Sequence, residues 1–350
     1  MKGRASDFNT DNKFLKTSIK KEILWAIDEF EEPDFVKTKY IEVFPKTIIN
    51  EVKSPDLPFM YSMNPYQGCE HGCAYCYARP THEYWGYSAG LDFESIILVK
   101  KNAAQLLNKE LRKPNRIVEP IVISGNTDCY QPVEKKLQIT RQLLQVCLEF
   151  KHPVSIITKN ALILRDLDIL TKMNELQLVS VLISITGTDE KLRGILEPRT
   201  STYANRFKTI KMLAEHNIPC GVMVAPIIPG INDKEIPNVL QLASENGAKY
   251  AGFTIVRLND NVAPIFSKWL ENHFPDRKEK VLSLIKDCHD GNLYDYRQGN
   301  RFKGDGNVAN AIHQLFKIFR KKYFPEYHFE HNTSLFNGKR KGDEVQGTLF

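Results

Sequence analysis

The chain has 350 residues, of which 42% are hydrophobic and 26% charged, and its formal net charge is +6. These values are typical of a globular protein with a large core, and the modest positive charge permits an anionic partner without requiring one. No run approaches the roughly 18 to 20 apolar residues of a membrane helix, which excludes a spanning segment, and the first residues lack the apolar stretch of a secretory signal. We therefore expect a cytoplasmic protein with no membrane partner.

Residues 1–50 are polar and mixed, which predicts an N-terminal extension ahead of a core domain at 51–260. In that core, short runs rich in β-branched residues alternate with amphipathic stretches, as strands alternate with helices. The strand-like runs are 59–66, 120–125, 154–159, 179–186, 220–228 and 250–258. Repeated strand-then-helix units pair in parallel with right-handed crossovers, so the α/β core is predicted to be a doubly wound sheet or a barrel. Its chemistry is expected at the C-terminal ends of the strands.

The remainder of the chain is divided into two segments. Residues 261–330 contain one helical stretch, "NVANAIHQLFKIFRKKYF", and form a C-terminal helical region. Residues 331–350 are polar and rich in Gly and Lys, so we expect a flexible tail.

Three cysteines, Cys69, Cys73 and Cys76, are crowded into the segment "CEHGCAYC" directly after the first strand-like run. Gly68 and Gly72 allow the backbone to turn tightly enough for three thiolates to converge. Three soft ligands in one loop favour an iron–sulfur cluster, which usually takes four cysteines, so one iron would be left open for another ligand.

A structural zinc ion is the alternative for this loop, with His71 or a distant cysteine as the fourth ligand. Zinc sites usually combine two short Cys/His hairpins, and the sequence has no second "CxxC" or "HxxxH". Seven cysteines are an odd number, and their scatter suits a reducing compartment and a metal better than a set of disulfides.

The pattern Cys-x3-Cys-x2-Cys, with Tyr75 before the last cysteine and an α/β repeat downstream, resembles the radical SAM superfamily. The resemblance implies a partial (β/α)6 barrel of the TIM type that holds a [4Fe-4S] cluster and S-adenosylmethionine. It also implies reductive cleavage of S-adenosylmethionine to a 5′-deoxyadenosyl radical, with an electron donor such as flavodoxin or ferredoxin as a partner.

A narrower resemblance, over about residues 50–260, is to the spore photoproduct lyase-like branch, which is related to DNA repair photolyases. It is carried by "MNPYQGCEHGCAYCYARP", "SGNTDCYQPVEKK" and "VSIITKNALILRDLDIL". In that branch, aromatic residues flank the last cysteine and polar residues end the second, third and fourth strands. The cofactor contacts that the resemblance implies are Tyr75, Tyr77, Asn126, Thr127, Lys159 and Ser184.

The sequence departs from the lyase at the end of the second strand, where the lyase has a hydrogen-donating cysteine and this chain has Gly125. Cys129 lies four residues later. If its thiol faces the cavity, it is a candidate catalytic residue that returns a hydrogen atom to a substrate radical; otherwise it is a turn residue.

Glu197 and Arg199 follow the fourth strand in "ILEPRTSTYANRF". A carboxylate and a guanidinium at a strand end are able to bind ribose hydroxyls and a carboxylate of the cofactor, the arginine in a bidentate manner. The alternative is a salt bridge within this loop.

The last residues, "QGTLF", resemble the short bacterial peptide that binds the sliding clamp, with Gln346, Leu349 and Phe350 at its marked positions. Two apolar residues at the end of a polar segment are consistent with a peptide that folds on docking. The sequence therefore predicts a possible clamp partner and, through it, work near DNA.

Three functions remain open from the sequence. The first is a radical SAM enzyme, lyase-like or other, that acts on a nucleic-acid component in DNA repair or modification. The second is a radical SAM enzyme that modifies a protein, a peptide or a small metabolite. The third is a non-catalytic metal-binding module.

Overall fold

The computed structural model describes residues 3–15, 36–114 and 116–339. The predicted clamp-binding residues Gln346, Leu349 and Phe350 lie outside these ranges, so that prediction is not addressed by the structure. In the described part of the chain, no helix is both long and apolar enough to cross a membrane.

Ten strands occur in the described ranges. They are β1 (Lys39–Val43), β2 (Ile49–Glu51), β3 (Tyr61–Met63), β4 (Tyr66–Gln67), β5 (Ile96–Lys100), β6 (Ile121–Ile123), β7 (Val154–Thr158), β8 (Val179–Ser184), β9 (Cys220–Ile227) and β10 (Tyr250–Ile255). The main sheet has seven strands in the order β10-β9-β8-β7-β6-β3-β2, and a small second sheet has the order β1-β5-β4.

Six strands of the main sheet, from β3 to β10, are parallel, and β2 pairs antiparallel with β3 at one edge. β10 and β2 are the two edges, so the sheet is open rather than a closed barrel. This is the predicted partial (β/α)6 architecture, and the prediction of fold class is confirmed. Because neighbouring parallel strands point the same way, their C-terminal ends lie together at one end of the sheet. We call this end the mouth.

The helices complete the strand-then-helix units. They are α1 (Leu91–Ser95), α2 (Ala103–Leu111), α3 (Glu134–Leu137), α4 (Ile139–Glu149), α5 (Leu167–Glu175), α6 (Glu190–Leu196), α7 (Tyr203–Glu215), α8 (Ile236–Glu245), α9 (Val262–His273), α10 (Lys278–Asp287) and α11 (Gly306–Tyr323). In α4, Leu143, Leu144 and Cys147 recur at helical spacing and are all fully buried in the main core. Each buried leucine of this kind stabilises the fold by about 1.5 to 3 kcal/mol.

The C-terminal region contains two helices, α9 and α10, in addition to the one that the sequence indicated, α11. They belong to a second core cluster that includes Cys73 and Tyr75. Trp269 of α9 is buried, and its indole Nε1 donates to the carbonyl of Ile195 over 2.9 Å. The region after the sheet therefore packs against the cysteine loop.

Residues 331–339, the described part of the predicted flexible tail, contact the core. The amide of Asn332 donates to the carbonyl of Gln177 over 2.9 Å, and the amide of Asn337 donates to the carbonyl of Phe150 over 3.2 Å. Phe336 is buried, with its ring 6.4 Å from that of Phe150. One buried aromatic ring and these backbone hydrogen bonds hold a polar segment against the core.

The described part of the N-terminal extension also packs on the core. The amide of Ser6 donates to Oε1 of Glu94 over 3.0 Å, and the amide of Leu91 donates to the carbonyl of Phe8 over 3.0 Å. Farther along, β1 pairs in parallel with β5. The N-terminal extension therefore contacts residues 91–100, in the segment that follows the three cysteines.

Candidate active site

The cysteine loop follows β4 and lies at the mouth. Cys69 and Cys73 are 6% and 7% exposed, Cys76 is half-buried, and all three are free thiols. Three turns shape the loop, since the amides of Gly72, Cys76 and Arg79 donate to the carbonyls three residues earlier over 3.2, 3.3 and 3.2 Å. The local backbone therefore gathers the three cysteines into one compact segment.

Gly68 and Gly72 are required by the course of this backbone. Both have a positive φ, +79° and +64° respectively, which residues with a side chain rarely adopt. A Cβ on Gly68 would lie 2.6 Å from the carbonyl oxygen of Ile96, and one on Gly72 would lie 2.5 Å from Oε2 of Glu94. The loop therefore has no room for a larger residue at either position.

Gly68→Ala is expected to destabilise the protein more than Gly86→Ala, a matched control. Gly86 has a similar φ of +82° but nothing within 4 Å of an added Cβ. The control isolates the left-handed backbone, which costs about 1 to 2 kcal/mol, and the clash at Gly68 should add at least about 1 kcal/mol. Urea unfolding of both variants measures the difference. Equal losses of unfolding free energy would show that the close approach of Ile96 is unimportant.

A buried ion pair between Arg79 and Glu94 stabilises the cysteine loop. Arg79 is fully buried, its Nε and Nη2 donate to the carbonyl of Cys73 over 3.0 and 2.9 Å, and Nη2 lies 2.5 Å from Oε1 of Glu94. Its Nη1 also donates to the carbonyls of Ala89 and Gly90. One guanidinium thus joins the loop to the chain before α1 and to α1 itself. The sequence analysis missed Arg79, although it stands three residues after the last cysteine.

The three thiols are able to serve as ligands of an iron–sulfur cluster. Burial raises the pKa of Cys69, Cys73 and Cys76, so a bound cation is needed to hold them as thiolates. In the described ranges, no three Cys, His, Asp or Glu side chains are gathered as ligands of one metal ion would be. Thiolates that each bind a different iron do not need to meet at one point.

His71, the fourth ligand considered for zinc, is committed elsewhere. Its Nδ1 lies 3.4 Å from Oδ2 of Asp128, and its Nε2 lies 3.2 Å from Nδ2 of Asn160. Burial of Asp128 would raise its pKa, but His71 and the backbone amides of Lys159 and Tyr130 lower it to about 2. Both ring nitrogens of His71 thus position the loop against the ends of β6 and β7.

Lys159 lies where the sequence predicted it, directly after β7 at the mouth. Its Nζ is 3.4 Å from the carbonyl oxygen of Ala225 in β9 and 6.0 Å from the centre of the Tyr75 ring. Burial and the charge of Glu197 raise the pKa of Cys73, and the Lys159 cation acts in the opposite direction. The lysine therefore directs positive charge toward the thiols.

Tyr75 and Glu197 form a buried network rather than an open binding surface. The Tyr75 hydroxyl donates to Oε1 of Glu197, and the fully buried Arg206 lies 2.5 Å from Oε2. Burial would raise the pKa of Glu197, but the charges of Arg206 and Lys159 lower it to about 2, so the carboxylate is ionised. Glu197 thus forms a salt bridge with Arg206, and its contact with the cofactor stays a prediction.

Arg199 is also held in an ion pair, 3.1 Å from Oε1 of the buried Glu70. It lines a surface pocket of about 620 Å³ together with Tyr40 and Lys135. Arg199 thus forms a salt bridge with the residue after Cys69 and not with Glu197, as the alternative within its own loop would require. Its contact with the cofactor stays a prediction.

The other predicted contacts differ in how accessible they are. Tyr77 is 42% exposed, and its hydroxyl donates to the carbonyl of Gly125 over 2.8 Å, so it reaches from the cysteine loop to the end of β6. Asn126 is half-buried and its amide nitrogen lies 3.3 Å from the Thr81 hydroxyl. Thr127 is buried and donates to the carbonyl of Tyr66 over 2.7 Å, which makes it a structural residue.

Ser184 and Cys129 are both buried. Ser184 ends β8, and its carbonyl accepts a 2.9 Å hydrogen bond from Arg206. Cys129 is fully buried in the main core, and its amide donates to the Ser124 hydroxyl over 2.8 Å. The structure thus places Cys129 in a turn packed on the core, and its role as a hydrogen donor stays a prediction.

Comparison with known proteins gives three findings. The Radical SAM superfamily model matches residues 63–243. An uncharacterized protein of Mycobacterium tuberculosis is 33% identical over 259 residues, 73% of this chain and 76% of that protein. An uncharacterized protein of Methanocaldococcus jannaschii is 29% identical over 245 residues, 70% of this chain and 87% of that protein.

Among solved structures, spore photoproduct lyase complexed with dinucleoside spore photoproduct matches with a TM-score of 0.58. The two are 16% identical, and the match covers 82% of this chain and 80% of the lyase. At that identity the likeness shows a shared fold.

The open parallel sheet and the three-thiol loop at its mouth define an α/β enzyme whose chemistry lies at the C-terminal ends of the strands. Because the family model matches more than half of the chain, the chain belongs to the radical SAM superfamily. It is a radical SAM enzyme, and its family uses S-adenosylmethionine and an iron–sulfur cluster.

Proposed function

We propose that the chain holds a [4Fe-4S] cluster on Cys69, Cys73 and Cys76 and acts on a nucleic-acid component. The observation that carries the cluster assignment is three free thiols, two buried and one half-buried, in one loop at the mouth. When bound, the cluster supplies the electron that splits S-adenosylmethionine into methionine and a 5′-deoxyadenosyl radical. The hydrogen atom that this chemistry would remove from a substrate C–H bond would be recovered in 5′-deoxyadenosine.

The residues of this chain would bind S-adenosylmethionine and hold it in position. The Lys159 ammonium supplies a positive charge near the thiols for the carboxylate of S-adenosylmethionine. The Tyr75–Glu197–Arg206 network keeps the neighbouring wall rigid, because each of its polar groups is already paired. Packing of α9 behind the loop keeps water from that side.

A nucleic-acid substrate is supported by the fold likeness outside the family-model range. The match to spore photoproduct lyase covers 82% of the chain, including parts beyond residues 63–243. A mutant of that lyase has been solved with both AdoMet and dinucleoside spore photoproduct bound. We infer from this support that the present chain performs DNA or nucleotide repair or modification.

Deuterium transfer tests the substrate class. Reconstituted protein is incubated with dithionite, S-adenosylmethionine and ultraviolet-irradiated single-stranded DNA made from perdeuterated thymidine. We expect deuterium in 5′-deoxyadenosine or in recovered S-adenosylmethionine, and none with unlabelled DNA. Ongoing cleavage without deuterium incorporation would favour the other substrate class, a protein, a peptide or a small metabolite.

The partners predicted from the sequence stay predictions. Flavodoxin or ferredoxin is proposed as the electron donor, because reductive cleavage needs one electron for each S-adenosylmethionine. A sliding clamp is proposed for Gln346, Leu349 and Phe350. The cytoplasmic location fits the need for reduced thiols.

A further inference from the structure

A second cationic group, Arg257, lies at the mouth just beyond the end of β10. Its guanidinium carbon lies 4.5 Å from the ring centre of Phe302, 5.2 Å from that of Tyr77 and 6.0 Å from that of Tyr294. Tyr294 and Phe302 are held there because the amides of Leu258 and Ile255 donate to the carbonyls of Leu293 and Phe302 over 2.9 and 2.8 Å. The loop after α10 thus builds an aromatic cage around one arginine.

Arg257 differs from the other arginines near the site in having no direct ion pair. Burial and Arg301 lower the pKa of Arg257, although Asp56, the partner of Arg301, is near enough for its charge to raise that pKa. Arg79 pairs with Glu94 at 2.5 Å, and the neighbouring Arg301 lies 2.6 Å from Oδ2 of Asp56. For Arg257, none of the described residues provides an ion pair or a hydrogen bond, although its side chain is half-buried. Five N–H donors and a full charge are left available for a ligand.

The position of Arg257 ties it to the reaction site. Its neighbour Tyr77 directly follows Cys76, and the Tyr77 hydroxyl donates to the carbonyl of Gly125 after β6. Arg257 therefore faces the mouth from the open edge of the sheet, across from β6. An anion bound to it would lie beside the cysteine loop.

A line of aromatic rings leads away from the cage. The Tyr294 ring lies 4.1 Å from that of Tyr296, which is 74% exposed. Desolvation and Asp260 raise the pKa of Tyr296 while the charge of Lys13 lowers it, and Lys13 is itself paired with Asp260 over 3.1 Å and lies 4.0 Å from Glu83.

Beyond Tyr296 the line of rings continues on the N-terminal segment. Nζ of Lys13 lies 5.4 Å from the ring centre of Phe14, and that ring stacks at 4.7 Å on Tyr84, which is 73% exposed. We call Tyr294, Tyr296, Phe14 and Tyr84 the aromatic track.

We propose that Arg257 binds a phosphodiester group of a single-stranded nucleic acid whose neighbouring bases stack on the aromatic track. This inference rests on the proposed nucleic-acid substrate and deepens it. Arginine matches the geometry of a phosphate through two parallel N–H bonds, and exposed rings stack on any base. The strand would thereby be held with one nucleotide directed into the mouth.

Fluorescence anisotropy with a labelled ten-nucleotide oligothymidylate tests the proposal on the full-length reconstituted protein. The test variants are Arg257→Gln and Tyr296→Ala. Their controls are Arg112→Gln, an arginine directly after α2 whose guanidinium carbon lies 5.3 Å from the centre of the Phe150 ring, and Tyr327→Ala, a tyrosine 37% exposed. We expect loss of one stacked base to weaken binding about tenfold in Tyr296→Ala, and loss of one phosphate contact to reduce the salt slope by about 0.7 in Arg257→Gln.

Each outcome decides the proposal. The proposal is supported if both test variants bind the oligonucleotide more weakly and both controls bind it as tightly as the native protein. If Arg257→Gln fails to fold, weaker binding by Tyr296→Ala alone still supports the proposal, because Tyr296 is exposed. No oligonucleotide binding by the native protein, or equal binding by all variants, overturns it. Loss of S-adenosylmethionine binding in Arg257→Gln with unchanged oligonucleotide binding also overturns it, since Arg257 would then hold the cofactor carboxylate. Formation of 5′-deoxyadenosine by the native protein is measured in parallel, so that failed cofactor cleavage and failed strand binding are distinguished.

Discussion

Replacing Cys73 by alanine is expected to reduce iron and sulfide to background after anaerobic reconstitution, and to abolish cleavage of S-adenosylmethionine. Cys73 supplies one of the three thiols of the loop, and the other four cysteines of the chain lie elsewhere in the sequence. A cluster that loses one of its thiolates exposes a second iron to solvent and is not retained. Iron and sulfide assays, with visible absorption of the reconstituted protein, measure the loss.

Cys147→Ala is the matched control for this experiment. Cys147 is also a fully buried free thiol, but it packs in α4 among leucines of the main core. We expect this variant to bind as much iron as the native protein. Native-like iron in Cys73→Ala, or an equal loss in both variants, would contradict the assignment of the loop as the cluster site.

Arg79→Met is expected to lower the free energy of unfolding of the cluster-free protein by about 3 to 5 kcal/mol. The substitution leaves the Glu94 carboxylate buried without its cation and leaves the carbonyl of Cys73 without two donors. Denaturant unfolding measures the loss. The same variant should take up less iron, because the carbonyl that positions the central cysteine is no longer held.

The double variant Arg79→Met/Glu94→Met separates the ion pair from the shape of the site. Removing both charges avoids an unpaired buried carboxylate, so the double variant should be more stable than Arg79→Met alone. Arg112→Gln, an exposed arginine, serves as the control with little expected change. If Glu94→Met lowers the free energy of unfolding by the same amount in Arg79→Met as in the native protein, Arg79 and Glu94 are not energetically coupled and the prediction is wrong.

Local pattern predicted the sheet because each strand of the core is a compact apolar run. Ile121–Ile123 and Val154–Thr158 coincide with runs rich in β-branched residues, and parallel pairing follows from the helices between them. Docking of residues 331–339 was not predicted, because composition reports polarity and misses the effect of one buried ring such as Phe336. Tertiary contacts determine whether such a polar segment packs on the core.

The positions of the cysteines and of Lys159 were predicted from the sequence, because the spacing of the cysteines and the end of a strand are local features. The ion pairs of the site were not predicted from the sequence. Glu197 pairs with Arg206, and Arg199 pairs with Glu70, a residue 129 positions away. The sequence did contain a signal for Arg257, a charge inside the apolar run "FTIVRL" at the end of the last strand. Its cage depends on Tyr294 and Phe302, which only the folded loop brings near.

The most direct test of the account is formation of 5′-deoxyadenosine by the anaerobically reconstituted protein. Dithionite and S-adenosylmethionine are added, and the product is followed by chromatography against Cys73→Ala. We predict 5′-deoxyadenosine and methionine from the native protein and neither from the variant. A native protein that binds zinc instead of iron and yields no 5′-deoxyadenosine, with or without DNA, would contradict radical chemistry at this site.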